Sequence, residues 1–278
     1  MTAAGSGPIF LVGAGRMGGA LLKGWLVQGI EPGRVFVQEP SPAPEIAEFL
    51  RSAGIRTGAP PDMPAPPEVS VLAVKPQSMD EVAGAIVPLA GPRTVVLSIA
   101  AGRTVASLAA HFSGAAIVRA MPNTPAAIGR GISALYANAA VTADQAALCE
   151  ALMAAAGQTV WLDDEALMDA VTAVSGSGPA YVFLLAECLA EAGEAAGLPA
   201  ELAAKLARAT VSGAGELLAR SDLSPADLRR NVTSPGGTTA AALRVLMGED
   251  GAGEDARLRD LLREAVAAAA RRSRELAG

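Results

Sequence analysis

Aromatic side chains are scarce: phenylalanine, tyrosine and tryptophan together make up 3% of the 278 residues. With so little aromatic area, the contact surface must come from small aliphatic side chains and closely approaching backbones, as helix-on-helix and helix-on-sheet packing provide. Cysteine is nearly missing. Cys149 and Cys188 lie in helical-looking runs without a metal-type or redox-type neighbour, which excludes a disulfide scaffold and predicts buried thiols in a reducing cytosol. His111 is the only histidine, expected on a surface helix far from any strand end, and there is no Ser-His-Asp set and no metal-ligand cluster. Positive charge is also lacking: the formal net charge is -6, with no basic run, so the clustered Lys and Arg of a nucleic-acid or anionic membrane surface are missing. No uncharged apolar stretch reaches the roughly 18 residues of a membrane span. The first eight residues carry no basic side chain, so no signal peptide is expected, and the chain reads as cytoplasmic.

What is present is a folded composition, 51% apolar and 18% charged, long enough for two domains. Residues 9–12, 35–37, 69–74, 94–99 and 116–119 are short apolar, β-branched runs. They alternate with helical patterns at 14–28, 44–53, 77–89 and 105–112, while the proline-rich 60–67 reads as loop. Further strands at 131–136 and 159–161 flank a helix at 143–156. This alternation predicts an α/β domain over residues 1–163, a doubly wound parallel sheet that binds ligands at the carboxyl ends of its strands. From residue 164 to 278 only Ala/Leu/Glu/Arg-rich segments remain, broken at 175–179, 197–199, 221–225, 234–237 and 248–253, so the second domain is expected to be all helical. Residues 180–192 are apolar nearly all round, which predicts burial between subunits.

Gly13-Ala14-Gly15-Arg16-Met17-Gly18 follows the first strand and opens the first helix. In such a turn the first glycine permits the bend, the second lets backbone approach a pyrophosphate, and the third lets helix and strand pack closely, with free helix amides facing the phosphates. Glu39 follows the second strand, 21 residues after Gly18, where a carboxylate accepts hydrogen bonds from the adenosine ribose. It would repel a 2′-phosphate, softened only by the Ser41 hydroxyl, so NADH is favoured over NADPH. Three consecutive strand ends then carry small or rigid sequences suited to a crevice: Ala73-Val74-Lys75-Pro76, Ala100-Ala101-Gly102 and Met121-Pro122-Asn123-Thr124-Pro125.

Two loops of the helical half stand out. One is Val174-Ser175-Gly176-Ser177-Gly178-Pro179. The other, Asn231-Val232-Thr233-Ser234-Pro235-Gly236-Gly237-Thr238-Thr239, opens a helix with amides and hydroxyls suited to a carboxylate. With the glycine turn, residues 71–76, 98–102, 119–125 and 174–181, and Ser234 to Thr239, the sequence resembles the pyrroline-5-carboxylate reductase family over essentially its whole length. The last two stretches are the specific ones. The resemblance implies a Rossmann domain followed by a helical dimerisation domain, in dimers often assembled further into decamers of five. It implies that Lys75 and its neighbours, Ala100 to Gly102 and Asn231 contact NADPH or NADH. It also implies that the 234–239 loop (Ser234, Gly236, Gly237, Thr238) binds the substrate carboxylate, that Thr239 bonds the ring nitrogen, and that Glu165 stands near the substrate. The sequence departs from common members at residues 39–44, where many carry small polar or basic residues suited to a 2′-phosphate.

A cyclic imine is its own electrophile once protonated, so alignment of the reacting carbons is the main demand on such a protein, and no acid-base apparatus is expected. A hydroxyacid dehydrogenase would want a lysine base on the long helix of the second domain, but residues 180–196 contain none. A broader imine reductase would not need the substrate carboxylate. A nucleotide-binding regulator without turnover would not need intact loops at both ends.

Overall fold

The computed structural model describes residues 5–58, 66–248 and 257–277. The expected proline-rich loop lies almost wholly outside the described residues, as does most of the break at 248–253. The chain divides into two compact units, one running to Gly176 and resuming at Ala270, the other spanning Ser177–Ala269.

The first unit is built on eight strands: β1 (Ile9–Val12), β2 (Val35–Gln38), β3 (Arg56–Thr57), β4 (Val69–Leu72), β5 (Val95–Ser98), β6 (Ala116–Met121), β7 (Gly131–Ala137) and β8 (Gly157–Trp161). Their order is β3-β2-β1-β4-β5-β6-β7-β8. Every neighbouring pair is parallel except β6 with β7. The sheet is therefore doubly wound as expected, but with an antiparallel turn near one edge: only nine residues separate β6 from β7, too few for a parallel crossover. Strand order reverses at β1, which places the crevice at the carboxyl ends of β1 and β4.

Period-2 alternation sorts the core into two layers. Ile9, Leu11, Val35, Val37, Val71 and Leu97 face one side, where they meet Leu21, Leu22 and Trp25 of α1 (Arg16–Val27) and Leu148, Cys149 and Leu152 of α5 (Ala143–Ala154). Phe10, Val12, Leu72 and Val96 face the other, against α3 (Met79–Ile86) and α4 (Val105–Ala109). Packing of α1 on α5 is close: the Trp25 indole donates to the Leu152 carbonyl at 2.8 Å, and a Cβ on Gly24 would stand 2.4 Å from the Ala155 carbonyl oxygen. The helix α2 (Pro44–Ser52) covers the β2 side.

Two helices are shorter than the periodicity suggests. The expected helix at 77–89 is α3 bracketed by 3-10 turns, Pro76–Ser78 and Val87–Leu89, because Pro76 and Pro88 cannot donate to an α ladder. The expected helix at 105–112 stops at Ala109, so His111 lies in the turn that follows, beside Asp80. After α6 (Met168–Val171) the backbone widens into a π-helical turn, Thr172–Gly176, where the Ser175-containing loop begins.

The second unit holds α7 (Gly178–Ala195), α8 (Ala200–Arg220), α9 (Pro225–Asn231), α10 (Thr238–Met247) and the first part of α11 (Arg257–Ala277). α7 and α8 form a hairpin closed at Gly193, where a Cβ would meet that of Ala203 at 3.2 Å. Cys149 is buried as expected, and burial pushes its thiol up to about 12. Cys188, also expected to be buried, is exposed on the single chain, on the same helix as the exposed Phe183, Leu184, Leu185 and Leu189.

Candidate functional site

The glycine turn is shaped by contacts that only glycine allows. Gly13 has φ +92°, and a Cβ there would stand 2.8 Å from the Ala73 carbonyl oxygen; a Cβ on Gly18 would stand 2.1 Å from the Gly13 carbonyl oxygen. Gly13 N donates to the Gln38 carbonyl at 2.9 Å and Ala73 N to the Val12 carbonyl at 2.8 Å, which ties the turn to both neighbouring strand ends. Gly15 is different. It precedes α1 as an exposed residue, and a Cβ there would have no atom within 4 Å. Its bareness is not required by packing, and it leaves an open helix N-terminus with no acidic side chain in the first turn, where the backbone amides are free to meet an anion. Arg16 is exposed and Met17 half-buried beside it.

Glu39 reaches back over this turn. Its Oε2 accepts the Ala14 amide at 2.9 Å and its Oε1 the Ser41 amide at 3.2 Å, so it is an oriented carboxylate rather than a loose surface one. One residue earlier, Gln38 has a buried Oε1 with no protein partner, a polar atom at the crevice that sequence patterning did not single out.

The next strand ends converge on the same edge of the sheet. Lys75 is extended ahead of Pro76 and its side chain is exposed. Ala100 is buried, Ala101 exposed, and Gly102 has φ +74°; the end of α11 lies over it, with the Leu276 carbonyl oxygen 3.2 Å from where a Cβ would be. Asn123 uses both ends of its amide, accepting from Ile132 N at 3.0 Å and donating to Ser175 Oγ at 3.3 Å. Gly176 packs so closely that a Cβ would meet Met121 Cε at 2.6 Å. The loop after β6 and the Ser175 loop are thus brought together within the first unit.

Glu165 joins this group through a partner that sequence reading missed. Its Oε1 accepts from Arg119 Nη1 at 2.8 Å and from the Val105 amide at 2.8 Å. Arg119 is the one charged side chain buried among the described residues and lies in β6, two residues before its end. Nothing in local periodicity marks the pair, whose members are 46 residues apart.

In the second unit, α9 leads into the other loop. Ser224 caps it, and the Ser224 hydroxyl and then Arg230 hold the Asp227 carboxyl below its ordinary value. Asn231 is its last residue, exposed. Ser234 and Gly236 are exposed on a tight turn closed by Gly237 N on the Ser234 carbonyl at 3.0 Å, with Gly236 at φ +70°. Gly237 precedes α10 without a side-chain cap, and no acid occupies the first turn, so the first amides of α10 are open beside the Thr238 and Thr239 hydroxyls.

Two family models match in tandem. One, described as an NADP oxidoreductase, coenzyme F420-dependent, matches residues 8–102, and one described as pyrroline-5-carboxylate reductase dimerisation matches residues 165–276. The pyrroline-5-carboxylate reductase of Pseudomonas aeruginosa is 42% identical over 97% of this chain and 96% of its own length. The chain belongs to the pyrroline-5-carboxylate reductase family. The solved structure of the Coxiella burnetii pyrroline-5-carboxylate reductase superposes with a TM-score of 0.89 at 35% identity, covering 99% of this chain and all of that one. The Plasmodium falciparum enzyme, solved with NADP bound, matches with a TM-score of 0.78 at 29% identity over 98% of each chain. Family membership gives a reason for the apolar helix α7. The helical run Glu165–Ala195 is long and apolar enough by composition to cross a bilayer and is largely unburied on the single chain, yet it lies within the segment that the pyrroline-5-carboxylate reductase dimerisation model matches.

Proposed function

We propose that the chain reduces Δ1-pyrroline-5-carboxylate to L-proline, the last step of proline biosynthesis, with a reduced nicotinamide dinucleotide on the first unit and the imino acid on the 234–239 loop. Kinship with pyrroline-5-carboxylate reductases over 97% of the chain carries the reading, and the open turn at Gly15 agrees with it. Gly13, Gly15, Arg16, Met17 and Gly18 would hold the pyrophosphate, and Glu39 the ribose. The strand-end residues Ala73 to Pro76, Ala100 to Gly102 and Asn123 would line the nicotinamide side, and the family resemblance adds Asn231 to the cofactor contacts. When bound, the cofactor supplies the hydride.

The chain's own residues position and stabilise. The open amides at the start of α10, with Ser234, Gly236, Gly237 and Thr238, take the substrate carboxylate. Thr239 Oγ1 bonds the ring nitrogen and steadies it as it passes from iminium to amine. Glu165 would stand near the substrate, with Oε1 engaged by Arg119 and the Val105 amide and Oε2 left for it. The rest is alignment of the reacting carbons, for which a rigid crevice suffices.

NADH is the favoured cofactor. Glu39 is held over the glycine turn by the Ala14 and Ser41 amides, so its negative charge cannot swing away from a 2′-phosphate without breaking two hydrogen bonds. The protein acts as a homodimer in the cytoplasm, with α7 buried between subunits and decamers of five dimers as the larger assembly. Mixing the protein with the imine and either NADH or NADPH and following the reduced-nicotinamide absorbance tests this. Turnover with a higher kcat/KM for NADH is expected, and no oxidation with either cofactor would overturn the assignment. Equal turnover of 1-pyrroline, which lacks the carboxylate, would move the reading to a broad imine reductase.

A further inference from the structure

We infer that Arg103 is a positioning residue for the dinucleotide, a clasp that sets the spacing between the strand-end loops after β4 and β5. The inference rests on the reading above, in which those two loops flank the cofactor. The β4–β5 ladder runs to its last backbone rung, where Ile99 N donates to the Leu72 carbonyl at 3.0 Å. Past that rung the chains exit separately, one through Lys75 and Pro76, the other through Ala100 to Gly102. Arg103 reaches back across this gap. Its Nε and Nη2 both donate to the Pro76 carbonyl, at 3.1 and 2.6 Å, while Nη1 pairs with Asp80 Oδ1 at 3.2 Å. The Asp80 oxygen is also 3.1 Å from His111 Nε2, so the clasp is anchored to the turn behind α4 as well.

The chemistry suits a clasp. Charge-assisted bonds to one carbonyl from two nitrogens of a planar fork fix direction as well as distance. Because the Pro76 carbonyl is adjacent to Lys75, holding it also sets where Lys75 leaves the backbone. A loop pair ordered before the cofactor arrives loses less conformational freedom on binding, and that saving appears as affinity. The Arg103 side chain is only 24% exposed, whereas Asp80 is 65% exposed, so the Pro76 contact is the better protected part of the arrangement.

The experiment compares cofactor dissociation constants, by fluorescence of bound NADH and NADPH, for the unmodified full-length protein, Arg103→Ala and Arg103→Lys, alongside steady-state kinetics. Arg103→Ala is expected to weaken both cofactors by roughly tenfold while kcat at saturating cofactor and KM for the imine stay within about twofold. Arg103→Lys, a single ammonium unable to serve the Pro76 carbonyl and Asp80 together, should recover less than half of the loss on a logarithmic scale. Should Arg103→Ala not fold, Arg103→Lys and Asp80→Asn carry the same comparison, and Asp80→Asn is expected to weaken cofactor by about threefold. Cofactor affinity within twofold of the unmodified protein in the folded variants would overturn the clasp. Failure of the unmodified protein to bind either cofactor would instead overturn the reading on which it rests.

Discussion

Arg119 Nη1 lies 2.8 Å from Glu165 Oε1, and that oxygen also accepts the amide of Val105 at 2.8 Å. One carboxylate thereby neutralises a buried guanidinium near the end of β6 and satisfies an orphan amide at the start of α4. The Arg119 side chain is 5% exposed and that of Glu165 23%, so the pair is shielded from the screening that makes surface ion pairs weak.

Glu165→Gln keeps an acceptor for Val105 but leaves the Arg119 charge without a counter-charge. Removing one partner of a buried pair costs about 3 kcal/mol or more, and partial exposure of Glu165 puts the expected loss at about 2–3 kcal/mol. Urea unfolding of the variant measures it; a loss below about 0.5 kcal/mol would show that the pair does not hold the end of β6.

Gly15 and Gly18 are expected to fail in different ways. Alanine at 18 would drive a methyl to 2.1 Å from the Gly13 carbonyl oxygen, so Gly18→Ala should lose more than about 3 kcal/mol of stability or fail to accumulate. Alanine at 15 meets nothing within 4 Å, so stability should stay within about 0.5 kcal/mol, while cofactor affinity falls by roughly tenfold or more. Thermal unfolding and cofactor titration of both variants separate a packing glycine from a binding one.

Thr239 is tested by removing its hydroxyl with and without its volume. Thr239→Ala and Thr239→Val should both lower kcat/KM for the imine by at least about tenfold, which is about 1.4 kcal/mol at the transition state. An effect below about twofold in both variants would take the hydroxyl out of the mechanism.

Cys149 predicts an alkaline loss of stability. Its thiol is raised by burial from 9.0 to about 12, so above pH 9 the unfolded chain ionises while the folded one keeps its proton. The contribution is fully present below pH 9 and is lost as pH rises toward 12, at no more than about 1.4 kcal/mol per pH unit. Cys149→Ala cannot show this linkage, so the stability gap between it and the unmodified protein should narrow between pH 8 and pH 10.5. An unchanged gap in chemical denaturation at the two values would refute it.

Much of the first unit was readable along the chain because its signals are local. The runs at 9–12 and 69–72 are buried on both faces of a parallel sheet, so the first is apolar throughout and the second is broken only by Ser70, and the glycine spacing at 13, 15 and 18 states its own geometry. Readings that depended on distant partners fared less well. The helix from Val105 ends at Ala109, and the sequence shows neither the His111–Asp80 contact nor the Glu165 carboxylate that caps its start. The antiparallel β7 was anticipated as a strand, but its direction follows from how β6 turns back, not from its own residues.

The amino-acid order alone determined most of the strands and helices, though not the short β3 or where α3 and α4 stop, together with where the bare glycines lie and which loops carry hydroxyls and amides, since each rests on backbone preference and hydrophobic period over a few residues. Only the tertiary structure decided which atom Gly18 is jammed against, that Glu165 answers Arg119, and that Arg103 clasps Pro76. These are pairings across 5 to 46 residues of chain whose energy depends on distance and burial, quantities that exist only once the sheet has brought the strand ends side by side.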